Sequence, residues 1–345
     1  MTGSTNVQST RIVLASRPAG APTAANFRTE TVDVPEPEDG QVLVRVVYLS
    51  LDPYMRGRMS DAKSYASPVE IDAVMVGATV AQVVTSRCPG LAEGDYVLAG
   101  TGWQTYAVVD GRAVRTLDPE AAPLSTALGV LGMPGFTAYA GLLKIGQPKA
   151  GETVVVAAAS GPVGSAVGQI AKVKGARAVG IAGGPDKCRY LIDDLGFDAA
   201  IDHRAPDFAD RLREAVPDGI DVYFENVGGP VAAAVVPLLN PYARMPVCGL
   251  VAQYNATTSE GRDRLPAFMS AVLVKSLTVR GFIQSEFVDE MHDNFLRDAP
   301  AWLREGTLRY REDIVDGLDA APEAFIGMLE GRNFGKLVVR VAPER

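Results

Sequence analysis

Two spacings of apolar residues divide the chain. Up to about residue 128, short runs rich in β-branched residues are cut by Pro, Gly and Asp, the pattern of a β-rich domain with tight turns. Strands are predicted over 11–15, 27–34, 41–51, 74–85, 95–98 and 105–109, with Pro35-Glu36-Pro37-Glu38-Asp39-Gly40 as a turn. A helix opening at Pro134-Gly135-Phe136 leads into a second region. There, strands at 154–156, 178–181, 200–202, 220–224, 244–247 and 277–282 alternate with helical stretches, as parallel-sheet units do. Residues 310–345 then offer a helix over 321–331 and a strand over 335–341 that return to the first domain. The expected architecture is α/β. A discontinuous β-rich domain (1–128 and 310–345) accompanies a doubly wound parallel-sheet domain (129–309).

The second region opens on residues 153–171, TVVVAAASGPVGSAVGQIA. A strand, a glycine turn and a helix in that order form the phosphate-cradling unit of a dinucleotide-binding fold. Glycines at 161 and 164, around Pro162 and Val163, let backbone approach a pyrophosphate at a helix N-terminus. Gly168 is expected to let the helix lie close on the strand. The spacing is G-x-x-G-x-x-x-G, so the same glycines also suit a buried strand and helix that use them only for packing. The next strand ends in Gly183-Gly184-Pro185-Asp186-Lys187. Enzymes that select NAD place an acidic residue there, about 20 residues past the glycines, on the ribose hydroxyls. Glycine makes room for a 2′-phosphate and Lys187 supplies a counter-charge, so the cofactor reading is NADP. Lys187 beside Asp186 also reads as a solvated lysine opening a helix.

Composition narrows the partners. The chain has 345 residues, 47% of them hydrophobic and 21% charged, with a net charge of −8. An acidic balance argues against nucleic acid or an anionic membrane as the main partner. No apolar run reaches the roughly 18 residues of a membrane span. The opening MTGSTNVQST lacks the basic and apolar blocks of a signal peptide, and Cys88, Cys188 and Cys248 are scattered. A cytoplasmic location is therefore expected.

Five segments in order then carry a resemblance. They are Leu49-Ser50-Leu51-Asp52-Pro53-Tyr54-Met55-Arg56-Gly57, Ala159-Ser160-Gly161-Pro162-Val163-Gly164 and Glu225-Asn226-Val227-Gly228-Gly229. Cys248-Gly249-Leu250-Val251-Ala252-Gln253-Tyr254-Asn255 and Asn333-Phe334-Gly335-Lys336 follow. Together the chain resembles the medium-chain dehydrogenase/reductase superfamily, and within it the zinc-free branch of prostaglandin reductases, alkenal/one oxidoreductases and NADPH-dependent curcumin reductases. The resemblance implies a Rossmann-type domain beside a GroES-like catalytic domain. The zinc enzymes of the superfamily need an early cysteine and a later Gly-His-Glu, where this chain has Leu51-Asp52-Pro53 and Val76-Gly77-Ala78. With only His203 and His292 in the chain, no zinc ligand set is visible and no metal is expected.

The implied reaction is NADPH-dependent reduction of a C=C bond conjugated to a carbonyl, with hydride delivered to the β-carbon. By resemblance, Tyr254 is the oxyanion donor or positioning group, and Tyr54 lines the substrate side. Each also reads as an ordinary structural tyrosine. Cofactor contacts implied are Gly161, Pro162, Val163, Gly164, Gly183, Lys187, Asn226, Cys248, Gly249 and Tyr254, with Phe282, Ile283 and Asn333 closing the site. His203 stands where prostaglandin reductases have a tyrosine near the adenine phosphate, with Arg204 beside it. His203 also reads as a surface residue of a strand-to-helix loop. Pocket walls are expected from 59–68 and 257–268. The edge strand near 277–282 implies a homodimer, by analogy with relatives. A quinone reductase and a non-catalytic NADPH-binding protein are the competing functions.

Overall fold

The computed structural model describes residues 7–256 and 263–345. The first half of the expected 257–268 wall and the start of the N-terminal lead therefore lie outside the described residues. In chain order the strands are β1 (Gln8–Leu14), β2 (Phe27–Asp33), β3 (Gln41–Ser50), β4 (Thr79–Ser86), β5 (Tyr96–Ala99), β6 (Tyr106–Asp110) and β7 (Arg115–Leu117). Then come β8 (Thr153–Ala157), β9 (Arg177–Ala182), β10 (Ala199–Asp202), β11 (Ile220–Phe224), β12 (Leu239–Val247), β13 (Thr278–Gly281), β14 (Glu312–Asp316) and β15 (Lys336–Arg340). The helices are α1 (Tyr54–Arg58), α2 (Met133–Ala140), α3 (Pro162–Val173), α4 (Pro185–Asp193), α5 (Phe208–Ala215) and α6 (Gly229–Val235). They continue with α7 (Leu265–Val274), α8 (Val288–Arg304) and α9 (Ala321–Leu329). The chain divides into two compact units, Met1–Gly129 with Glu312–Arg345, and Val130–Arg311.

The first unit is built on β3. Its Val- and Leu-rich run is buried in nine of ten positions and pairs with β4, β6 and β15. Burial on both faces explains the near-continuous apolar reading. The sheet order is β14-β15-β3-β4-β5-β7 with β6 also on β3, and β1-β2 forms a separate hairpin. Trp103 fills the core, stacked on Phe27 at 5.6 Å and edge-on to Phe325 at 5.7 Å. One predicted strand is shorter than expected. β4 starts at Thr79 because residues 74–78 spend their backbone bonds elsewhere. Met75 N donates to Ile12 O, and Met75 O and Gly77 O accept from Trp103 N and Gly102 N. Tyr54 opens the short helix α1.

The second unit holds six parallel strands among the described residues, in the order β10-β9-β8-β11-β12-β13. The order reverses between β8 and β11, and in open α/β sheets ligands bind at the carboxyl ends of the strands flanking that switch. β8 is buried at all five positions. One apolar cluster, including Val154, Val156, Ile170 and Phe224, packs against one face, and another, including Val155, Tyr223, Leu212 and Val235, against the opposite face. No helix among the described residues is long and apolar enough to cross a membrane.

Candidate active site

The glycine turn sits at the carboxyl end of β8, beside the switch. Ala158 takes φ +51°, a left-handed conformation unusual for a residue with a Cβ, and turns the chain toward α3. Gly161 caps that helix and Pro162 opens it, its fixed φ suited to a first helical residue. A Cβ on Gly164 would stand 2.4 Å from Ala158 O and 2.7 Å from Ala159 Cα, so only glycine fits against this backbone. At Gly161 the nearest atom to such a Cβ is Ala158 O at 3.3 Å. The first-turn N–H groups of α3 have no partners earlier in the helix and make a seat for an anion. Gly168 has a different role from the one expected. Its absent side chain makes room for the Phe197 ring, whose Cζ would lie 1.9 Å from a Cβ there. Val163 is partly buried against the core.

Past β9 a second basic corner forms. Asp202 ends β10, and its Oδ1 accepts from Gly184 N at 2.8 Å and from Arg204 N at 2.9 Å. The carboxylate is thereby occupied in tying the two loops together, and these amide bonds help hold it below the usual range against the opposing effect of burial. The tie brings His203 and Arg204 over Gly183, where a Cβ would meet His203 Nε2 and Arg204 Nε at 3.0 Å each. Desolvation, then the Arg204 charge, push the His203 imidazole below its ordinary value. Lys187 lies in the first turn of α4, next to this corner in sequence. Sequence reading missed the tie by Asp202, which joins the loops after β9 and β10.

The third cluster follows β11. Asn226 Nδ2 donates to Ala157 O at 2.8 Å, across the switch to the end of β8. The fully buried Glu225 accepts from Val227 N at 2.6 Å and Gly228 N at 2.8 Å through one oxygen, Oε1. Residues 248–254 dock on this turn through backbone bonds, and the Tyr254 hydroxyl folds back over Gly249, 3.1 Å from where a Cβ would stand. Cys248 packs partly buried against the core, and burial pushes its thiol up to about 12. A thiol so poorly ionised is no nucleophile. Phe282 is a core side chain, its ring 6.1 Å from Phe224 and 6.0 Å from Phe287. Ile283 donates its N–H to Glu286 Oε1 at 2.7 Å.

Tyr54 and Asn333 belong to the first unit. Tyr54 lines a cavity of about 380 Å³ with residues 74–78 and 100–102, none of which is charged. Burial, then Asp52, raise the Tyr54 phenol well above its ordinary value, so it remains a hydrogen-bond donor. Asn333 Nδ2 donates to Gly335 O at 2.7 Å and shapes the turn before β15. Among the described residues, no group of three or more His, Cys, Asp or Glu is placed to hold a metal ion.

Known proteins match along the chain. The family described as the N-terminal domain of oxidoreductase matches residues 10–117, and that described as zinc-binding dehydrogenase matches residues 162–298. An Escherichia coli protein named NADPH-dependent curcumin reductase is 57% identical over 333 residues, 96% of each chain. Rat prostaglandin reductase 1 is 41% identical over 325 residues, 93% of this chain and 95% of the other. The crystal structure of CurA in complex with NADPH from Vibrio vulnificus superposes with a TM-score of 0.94 at 56% identity, covering 98% of this chain and 100% of that one. With such identity along nearly its whole length, the chain belongs to the medium-chain dehydrogenase/reductase superfamily, in the zinc-free branch of the curcumin and prostaglandin reductases.

Proposed function

We propose that the chain is an NADPH-dependent reductase of carbon–carbon double bonds conjugated to a ketone or aldehyde. The observation that carries this reading is the 57% identity, over 96% of each chain, to a protein named for NADPH-dependent curcumin reduction. The residues of the second unit fit the cofactor. Gly164 admits no side chain, α3 offers free amides, and Gly183 lies bare beneath Arg204 and His203. In this reading the Gly161-Pro162-Val163-Gly164 turn takes the pyrophosphate, and Lys187, His203 and Arg204 take the 2′-phosphate. In the same reading Asn226, Cys248 and Gly249 stand along the nicotinamide end, and Ile283 helps close the site.

When bound, the nicotinamide supplies a hydride to the β-carbon of the enone. What remains for the protein is to hold the substrate and stabilise the charge that gathers on its carbonyl oxygen. Tyr254 is the residue we assign to that oxygen, as a hydrogen-bond donor held over Gly249. Tyr54 is the further candidate we assign to the substrate side, on a cavity without charged side chains that suits a neutral substrate. Asn333 is assigned to closing the site. A homodimer joined along β13 and a cytoplasmic location belong to the same reading; the edge position of β13 supports the first and three unpaired cysteines the second.

The test is product analysis with an alkenone and a simple quinone as parallel substrates. The reading predicts the saturated ketone, with no allylic alcohol. Turnover confined to the quinone would replace it with a quinone reductase, and NADPH binding without turnover of either with a binding protein.

A further inference from the structure

Tyr254 sits in a short segment whose place is set by the backbone it docks on. Cys248 N and Gly249 N donate to Glu225 O at 2.9 and 3.2 Å. Val251 N donates to Asn226 O at 3.2 Å, and Ala252 N to Val227 O at 3.0 Å. Gln253 N and Tyr254 N then close one helical turn on Leu250 O and Val251 O. The acceptors of this docking are three consecutive carbonyls, those of Glu225, Asn226 and Val227. They lie in a turn that needs φ +76° at Gly228 and +56° at Gly229, conformations that glycine tolerates and the chain does not fix by itself. The Glu225 side chain holds Val227 N and Gly228 N of this turn on a single oxygen. The same turn presses on the docked segment, since a Cβ on Gly228 would lie 3.1 Å from Leu250 Cδ2.

We propose that Glu225 is a positioning residue: its buried carboxyl sets the Asn226-Val227-Gly228-Gly229 turn and, through that turn's carbonyls, the seat of Tyr254. Its link to catalysis rests on the reading of Tyr254 as the oxyanion donor. The link from Glu225 to the seat does not. Glu225 has no access to solvent, so its contribution is geometric and it touches no substrate. The buried Tyr223 hydroxyl also interacts with the Glu225 carboxyl. The contacts to the turn itself, from Val227 N and Gly228 N, are both made by Oε1.

The experiment compares Glu225→Gln, which keeps an acceptor oxygen, with Glu225→Met, which keeps length and apolar packing but offers none. Amide hydrogen exchange is read on the cofactor-free protein. The expected result for Glu225→Met is exchange at least tenfold faster in peptides covering 226–229 and 248–256, with β8 and β9 unchanged, while Glu225→Gln stays near the parent. Unchanged exchange at 248–256, or a uniform rise across the chain, would overturn the proposal. Activity then separates the two layers. With Tyr254 as donor, Glu225→Met lowers kcat about tenfold, and that loss in kcat disappears in a Tyr254→Phe background. If exchange responds as expected but Tyr254→Phe leaves kcat intact, the role given to Tyr254 fails and the positioning of its segment stands.

Discussion

Lys336 Nζ lies 2.7 Å from Asp52 Oδ1, and both side chains are buried, at 2% and 4% exposure. The pair joins two motif segments 284 residues apart in sequence. Lys336 also donates to Leu51 O at 2.8 Å, and Ser50 donates its hydroxyl to the other oxygen of Asp52. A pair satisfied on this many sides fixes the end of β3, where the chain turns into α1 and presents Tyr54. Removing one partner leaves a charge in the core with nothing opposite. Lys336→Met is expected to cost about 3–5 kcal/mol in urea unfolding, and the double change with Asp52→Asn to recover part of that. Equal losses in the single and double variants would contradict this.

Selection of NADPH over NADH is expected to depend on the basic corner over Gly183. If Arg204 contacts the 2′-phosphate as proposed, Arg204→Gln should raise KM for NADPH about tenfold while KM for NADH stays level. Steady-state kinetics with both nucleotides checks it. A parallel rise in both would place Arg204 in a purely structural role.

Much of this was legible beforehand. The alternation of strands and helices, the glycine turn and the bare end of β9 were all readable, because each depends on local pattern. What was hidden depends on how side chains turn and on partners that spacing alone does not reveal. Gly168 serves the Phe197 ring, and residues 74–78 bond to the backbone at 12 and at 102–103. Asp202 is occupied by Gly184 and Arg204. Glu225 was legible only as part of a motif; its burial under its own turn could not be read from spacing.

Burial raises the Glu225 carboxyl above its ordinary value, with the Val227 and Gly228 amides pulling the other way. A carboxyl raised in the folded state contributes stability that is full below its unfolded value, about 4.3, and is lost as pH rises through the folded one. Glutamine does not titrate. The stability of the parent relative to Glu225→Gln is therefore expected to fall as pH rises from about 4 toward neutrality. Denaturant unfolding across that range checks it, and a relative stability that climbs with pH would show the carboxyl held ionised.

The edge of the second sheet predicts association. All four residues of β13 are exposed, and on α7 Leu273 and Val274 are 80% and 77% exposed. An open edge strand beside apolar side chains favours pairing with a second copy. Sedimentation at micromolar concentration should show a dimer, and Leu273→Asp should shift it toward monomer. A parent that sediments as a monomer would contradict this.

The most direct test of the account follows NADPH consumption with an α,β-unsaturated ketone, run beside NADH and beside Tyr254→Phe. The account predicts rapid turnover with NADPH, little with NADH, and a loss in kcat of roughly a hundredfold in the variant, the scale of one oxyanion donor. No turnover of any enone by the parent protein, with NADPH still bound, would contradict it.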